Sequence, residues 1–134
     1  MSERTVITFG TFDVLHVGHV RLLARARALG SRLVVGVSSD QLNLQKKGRL
    51  PVFPQEERLE ILASLGAVDE VFLEESLELK RAYVLNSGAA VLAMGDDWLG
   101  KFDELSDVCD VVYFERTPSI STTAIIEQIL GDAD

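Results

Sequence analysis

Thr5-Val6-Ile7-Thr8-Phe9 runs into Gly10-Thr11-Phe12-Asp13-Val14-Leu15-His16-Val17-Gly18-His19, and that stretch into an apolar-periodic segment over residues 20–29. The first piece reads as a short buried strand, rich in β-branched residues and closed by a glycine. The last reads as a helix: Val20, Leu23, Ala24 and Ala28 recur at three and four, Arg21, Arg25 and Arg27 fall mostly on other faces, and Gly30 follows as a C-terminal cap. Between them lies a strand-to-helix junction carrying two histidines three residues apart. In the first turn of a helix that spacing sets both rings on one face. The same turn offers unpaired backbone N–H groups and the positive end of the helix dipole, which is where a phosphate binds. Gly10 and Gly18 withhold side chains where backbone or ligand must come close. A plain turn with two surface histidines needs no such combination of Gly, Asp, His, Gly and His, so the string points to function.

Working outward, Arg32–Ser38 (RLVVGVS) is a nearly continuous apolar run, the pattern of a parallel strand covered on both faces. Residues 39–54 form the longest irregular segment, with Lys46, Lys47 and Arg49 close together and Pro51 and Pro54 near its end. A loop of that length in a compact domain is functional or mobile. A solvated basic loop is the plain alternative; next to a phosphate site, phosphate contact is the expectation. Residues 55–65 read as a helix ended by Gly66, with Leu59, Leu62 and Ala63 inward, and residues 70–73 as a short strand. A helix follows over 77–85, stopped by Asn86-Ser87-Gly88, then strands over 89–94 and 110–114. A last helix spans 121–130, with Ile125, Ile126, Ile129 and Leu130 as its apolar stripe. Strands and helices alternate throughout. This predicts an α/β fold, a single-domain Rossmann-like three-layer sandwich over residues 1–134 on a five-stranded parallel sheet of order 3-2-1-4-5. Such a sheet has its switch point between the first and fourth strands, and ligands bind there, outside the carboxyl ends. Residues 10–19 follow the first strand and Gly95-Asp96-Asp97-Trp98 follows the fourth, so both stretches converge on one crevice.

With 134 residues, 47% of them hydrophobic and 25% charged, the chain has the balance of an ordinary globular domain. Its net charge of −8 argues against nucleic acid or an anionic membrane as partner. It also requires any phosphate site to be locally basic, so clusters among the 13 Lys and Arg carry weight. The lone Cys109 sits in a strand-like run and reads as a small buried apolar residue. Nothing near the N-terminus resembles a signal region, and no apolar run reaches membrane-spanning length, so the expected compartment is the cytoplasm. No Gly-x-Gly-x-x-Gly turn follows the first strand, which argues against a dehydrogenase.

Residues 10–19 resemble the first signature of the nucleotidyltransferases with an HxGH motif, and specifically of the glycerol-3-phosphate cytidylyltransferases. Gly95-Asp96-Asp97-Trp98 and Arg116-Thr117-Pro118-Ser119-Ile120-Ser121-Thr122-Thr123 are similar to the same family, and the similarity runs over nearly the whole chain. The resemblance implies joining CTP to a small phosphorylated polyol, glycerol 3-phosphate foremost, with Mg2+ accompanying the triphosphate and the enzyme a homodimer. It implies His16, His19, Lys46 and Arg116 as catalytic residues, the imidazoles at the α-phosphate and Lys46 on the triphosphate from its loop. Gly10, Thr11, Phe12, Gly18, Arg58, Thr117, Ile120, Ser121 and Thr122 are implied at the nucleotide. Arg58 reads equally as an ordinary helix-surface charge, and Ser121 and Thr122 equally as helix caps. Asp13, Asp40 and Asp97 match acidic residues associated with the acceptor's hydroxyls or with the build of the site. Trp98 reads as structural. The chain departs from the pattern where a second loop lysine is Gly48, with Lys47 or Arg49 as substitutes. It departs again at Gly66 for an arginine, Leu77 for a tryptophan and Ser119 for a glycine. These departures leave the HxGH chemistry untouched and bear on the acceptor. Other readings are an adenylyltransferase like the archaeal FAD synthetases and a nucleotide-binding sensor without turnover.

Overall fold

A computed structural model describes residues 3–115 and 121–131. Its sheet has five parallel strands in the order β3-β2-β1-β4-β5, as the alternating pattern predicts. They are β1 (Thr5–Gly10), β2 (Arg32–Ser38), β3 (Glu70–Glu74), β4 (Val91–Gly95) and β5 (Asp110–Phe114). The helices are α1 (Val17–Arg27), α2 (Asp40–Lys47), α3 (Gln55–Ala63), α4 (Lys80–Ser87) and α5 (Thr122–Gly131), with 3-10 turns at Leu77–Leu79, Asp96–Trp98 and Asp103–Asp107.

Strand alternation divides the core between the two faces of the sheet. Val6, Leu33, Val35, Val37, Val91 and Ala93 point to one side, against Leu23 and Ala26 of α1 and Leu62 of α3. Ile7, Phe9, Val34, Leu92 and Met94 point to the other, against Val84 of α4, Leu105 and the buried Cys109. Gly36 is required on that second face, because a Cβ there would lie 2.6 Å from the Phe9 ring and 2.7 Å from Phe72.

Four local expectations are corrected. Residues 39–54 are not an irregular loop throughout, since Asp40–Lys47 is helical. The Ser39 hydroxyl accepts from Leu42 N at 3.0 Å, and Gly48 ends the helix in the left-handed region at φ 72°. Helix α1 starts at Val17, and Val20, Ala24 and Ala28 are not its buried stripe. Leu23 and Ala26 are, one and two turns beyond His19 on the same face. Gly30 does not cap α1, whose C-cap is Ala28; a Cβ at Gly30 would meet the Arg4 carbonyl at 2.3 Å. On α5, Ile129 and Leu130 are exposed, so only the first half of the predicted stripe is even partly covered.

Candidate active site

The junction after β1 is a compact loop in which Phe12 and Val14, neither a glycine, hold positive φ of 53° and 48°. Such a backbone is costly for L-residues and persists only where surrounding contacts impose it. Those contacts are visible. The Asp13 carboxylate is buried and accepts three backbone N–H groups, from Val14 at 3.1 Å, Val52 at 2.7 Å and Phe53 at 2.9 Å. Gly10 lies under the Phe12 ring, 2.9 Å from where a Cβ would stand, and Thr11 donates to Asn43 of α2 at 2.9 Å.

The loop delivers His16 as the N-cap of α1 and His19 as the third residue of its first turn. The two rings stack, centroids 3.8 Å apart. His16 Nδ1 accepts from Gly18 N at 3.1 Å, and His19 Nδ1 accepts from His16 N at 3.2 Å. An imidazole nitrogen that accepts a hydrogen bond carries no proton, so the backbone assigns the proton of each neutral ring to Nε2. In each ring the Nε2–H is thus the donor and Nδ1 the acceptor. The His19 pKa is lowered to about 4, first by burial and then by His16, with Asp13 opposing, so His19 is a neutral donor near pH 7.

Two cavities of about 300 and 270 Å³ open at the carboxyl ends of the strands. The first is lined by His16, Gly18, Arg25, Asp96, Ser121 and Thr122 among others, the second by Thr11, Ser38, Lys46, Glu74, Leu77, Lys80 and Trp98 among others. His19, Lys47, Asp97 and Thr122 border both. The two cavities thus form one crevice with His19 at the division.

Lys46 lies in the last turn of α2 and lines the second cavity, donating to Ser38 Oγ at 3.1 Å. Its pKa is lowered by burial, with Glu74 the strongest opposing influence. Lys47 borders both cavities, so of the two substitutes for the missing loop lysine it is the one at the crevice. Ser121 caps α5, its hydroxyl accepting from Ala124 N at 3.0 Å, and Thr122 donates to the Asp13 carbonyl at 2.7 Å. Ser121 is thus a helix cap that also lines the first cavity. Trp98 both packs on Phe102 and walls the second cavity. Arg116, Thr117 and Ile120 lie outside the described residues.

Arg58 and Asp40 stand elsewhere than expected, and one residue of the second cavity was not expected at all. Arg58 is neither a surface charge nor a group in either cavity's lining. It is 1% exposed, donating to the carbonyls of Phe53 (3.0 Å), Thr11 (2.9 Å) and Ser38 (2.7 Å) and to the Asp40 carboxylate (2.7 Å). Asp40 also accepts from Gln55 N at 3.2 Å. Arg58, Asp13 and Asp40 therefore lock the loop after β1, the end of β2 and the start of α3 together. Lys80, which the sequence reading passed over, is 7% exposed in the second cavity, ion-paired to Glu74, with Nζ 3.8 Å above the Phe9 ring. The available signal was a lysine starting a helix six residues after a strand-ending glutamate.

A family model described as cytidylyltransferase-like matches residues 7–128. A glycerol-3-phosphate cytidylyltransferase of Bacillus subtilis is 49% identical over 128 residues, covering 96% of this chain and 98% of that protein. One of Staphylococcus aureus is 42% identical over 128 residues, covering 96% of each. Among solved structures, the lipopolysaccharide core biosynthesis protein of Thermoplasma volcanium aligns with a TM-score of 0.73 at 24% identity, over 87% of this chain and 99% of that one, a likeness of fold.

Proposed function

The chain belongs to the cytidylyltransferase-like family, and from that premise we propose that it transfers the cytidylyl group of CTP to a small phosphorylated polyol, glycerol 3-phosphate foremost. The observation that carries the reading is the stacked His16–His19 pair, both Nδ1 atoms engaged by backbone, at the division between two cavities. The first cavity takes the nucleotide and the second the acceptor, so the reacting phosphorus lies beside His19 and Lys47.

An oxygen of the acceptor phosphate attacks the α-phosphorus in line. A new P–O bond forms as the bond to the bridging oxygen breaks, and pyrophosphate leaves. The protein's task is alignment and charge neutralisation. Nε2–H of His16 and His19 donate to non-bridging α-phosphate oxygens, and the dipole of α1 favours the charge gathering there. Lys46 and Lys80, both in the lining of the second cavity, draw the acceptor's phosphate to the opposite side, so Lys46 is proposed at the acceptor instead of on the triphosphate, where the family resemblance sets it. The resemblance implies Arg116 and Thr117 at a second phosphate site together with Ser121, whose hydroxyl caps α5 and keeps its own proton to donate, while Thr122 serves by tying the start of α5 to the Asp13 carbonyl. Asp97 is proposed at the acceptor hydroxyls; Asp13 and Asp40 serve by holding the loops. Mg2+ held by the triphosphate would supply charge neutralisation there. The carboxylates of Asp13 and Asp40 are committed to backbone N–H groups and to Arg58, and among the described residues no group of three or more His, Cys, Asp or Glu side chains could hold a metal ion, so phosphate oxygens and water would supply most of its ligands.

The family resemblance extends the proposal to a homodimer, which sedimentation equilibrium measures, and to the cytoplasm. Among the described residues no helix is long and apolar enough to cross a membrane. Mass spectrometry of products from CTP, with ATP in parallel, incubated with phosphorylated polyols and sugars tests the central reading. CDP-glycerol and pyrophosphate are expected. Product from ATP alone would overturn it.

A further inference from the structure

Glu74 ends β3 with its carboxylate 1% exposed at the floor of the second cavity. One oxygen accepts from Ser38 Oγ at 3.3 Å, and Ser38 Oγ in turn accepts from Lys46 Nζ at 3.1 Å. The other oxygen accepts directly from Lys80 Nζ. A buried ion pair costs much of its attraction in desolvation, and replacing it with apolar residues is often neutral or stabilising. Its presence at the floor of an anion cavity is therefore poorly explained by stability. We propose that Glu74 is a positioning residue for the transfer: it holds Lys80 directly, and Lys46 through Ser38, converged on the phosphate of the acceptor. This rests on the reading of the second cavity given above.

Two ammonium groups side by side in a half-closed space repel each other and are poorly solvated, which favours loss of a proton from one of them. One carboxylate between them offsets both effects and still leaves a surplus positive charge for an incoming phosphate. Burial does lower both lysines, and Glu74 is the leading influence raising each. The other charged or titratable groups around the pair are Lys47 from α2, Arg58 from α3, His19 from α1, Asp13 from the loop after β1 and Asp97 after β4. Lys47 and Arg58 both lower Lys46 further, so losing Glu74 leaves Lys46 without its strongest counterweight.

Steady-state kinetics of Glu74→Gln, with glycerol 3-phosphate varied at saturating CTP and the reverse, tests this. The KM for glycerol 3-phosphate is expected to rise roughly tenfold or more. The KM for CTP stays within about twofold of the parent value. The alkaline limb of kcat/KM for the acceptor moves to lower pH, because an ammonium without its anion deprotonates sooner. Glu74→Asp, which keeps the charge, restores the limb. An acceptor KM unchanged in Glu74→Gln, or acceptor and CTP parameters worsening equally, overturns the role. Should Glu74→Gln not fold, Ser38→Ala carries the test: it cuts the link to Lys46 and raises the acceptor KM severalfold, and no rise overturns the role. Lys80→Gln separates the two levels. If it leaves the acceptor KM unchanged, the assignment of the cavity falls and this role with it. If it raises the KM while Glu74→Gln does not, only the role of Glu74 falls.

Discussion

An imidazole whose Nδ1 accepts a backbone N–H has one place left for its proton, and that is what the turn after β1 does to His16 and His19 together. Each ring is at once a helix cap and a preset donor, so the residues that start the helix also prepare the chemistry. Replacing either with alanine removes a donor aimed at the α-phosphate. We expect kcat to fall by roughly a hundredfold or more, about 3–4 kcal/mol of transition-state stabilisation. Circular dichroism should show the fold retained; near-normal turnover in either folded variant would contradict the assignment. The low pKa of His19 has a second consequence. Between its folded value of about 4 and the ordinary 6.5, the unfolded chain binds a proton that the folded chain does not. Stability from this group is therefore full above that window and is lost as pH falls through it. Urea midpoints of the parent and His19→Gln between pH 7 and pH 4.5 should show the steeper acid loss in the parent. Equal slopes would count against a buried neutral His19.

At the scale of elements, the strands were legible because parallel strands covered on both faces are continuous apolar runs, and Arg32–Ser38 and Val91–Gly95 are such runs. Helix α2 was less so. Its eight residues bury only Leu42 and Asn43, too short a stripe to register as a period, and its two real signals are the Ser39 cap and Gly48. Helix α1 misled for a different reason: alanines mark both its buried and its exposed sides, so the pattern could not choose between Ala24 and Ala26. Arg58 was illegible because its partners, Thr11 and Ser38, lie 47 and 20 residues away along the chain. Its burial yields a prediction of its own. Arg58→Met removes the buried member of a charge pair whose other member, Asp40, is partly exposed, and leaves the Phe53, Thr11 and Ser38 carbonyls without their donor, so stability should drop by about 3–5 kcal/mol. Urea denaturation measures this. A variant of parental stability with only a weakened CTP KM would return Arg58 to the nucleotide.

Over the whole molecule, the order β3-β2-β1-β4-β5 brings residues far apart in the chain to one crevice, and that convergence followed from the alternation of elements alone. The division of the crevice into two cavities did not, because it depends on Glu74, Leu77 and Lys80, from the end of β3 and the segment after it, meeting Phe9, Lys46 and Trp98 from distant parts of the chain. Leu77 is 42% exposed on the wall of the second cavity, at the position where the family resemblance expects a tryptophan. Leucine in place of an indole removes bulk and a hydrogen-bond donor, so this wall is wider and less polar than the pattern implies. A site with spare apolar room rejects a close analogue by only about 10–200-fold, whereas buried polar groups that read the substrate reach about 10⁴–10⁵. The enzyme is therefore expected to use at least one longer phosphorylated polyol alongside glycerol 3-phosphate. The measurement compares kcat/KM for glycerol, erythritol and ribitol phosphates at fixed CTP, in the parent and in Leu77→Trp. The parent should prefer glycerol 3-phosphate by less than about 200-fold, and the tryptophan should widen that preference. A parental preference beyond about ten-thousandfold would mean that polar groups, not the room beside Leu77, set the choice of acceptor.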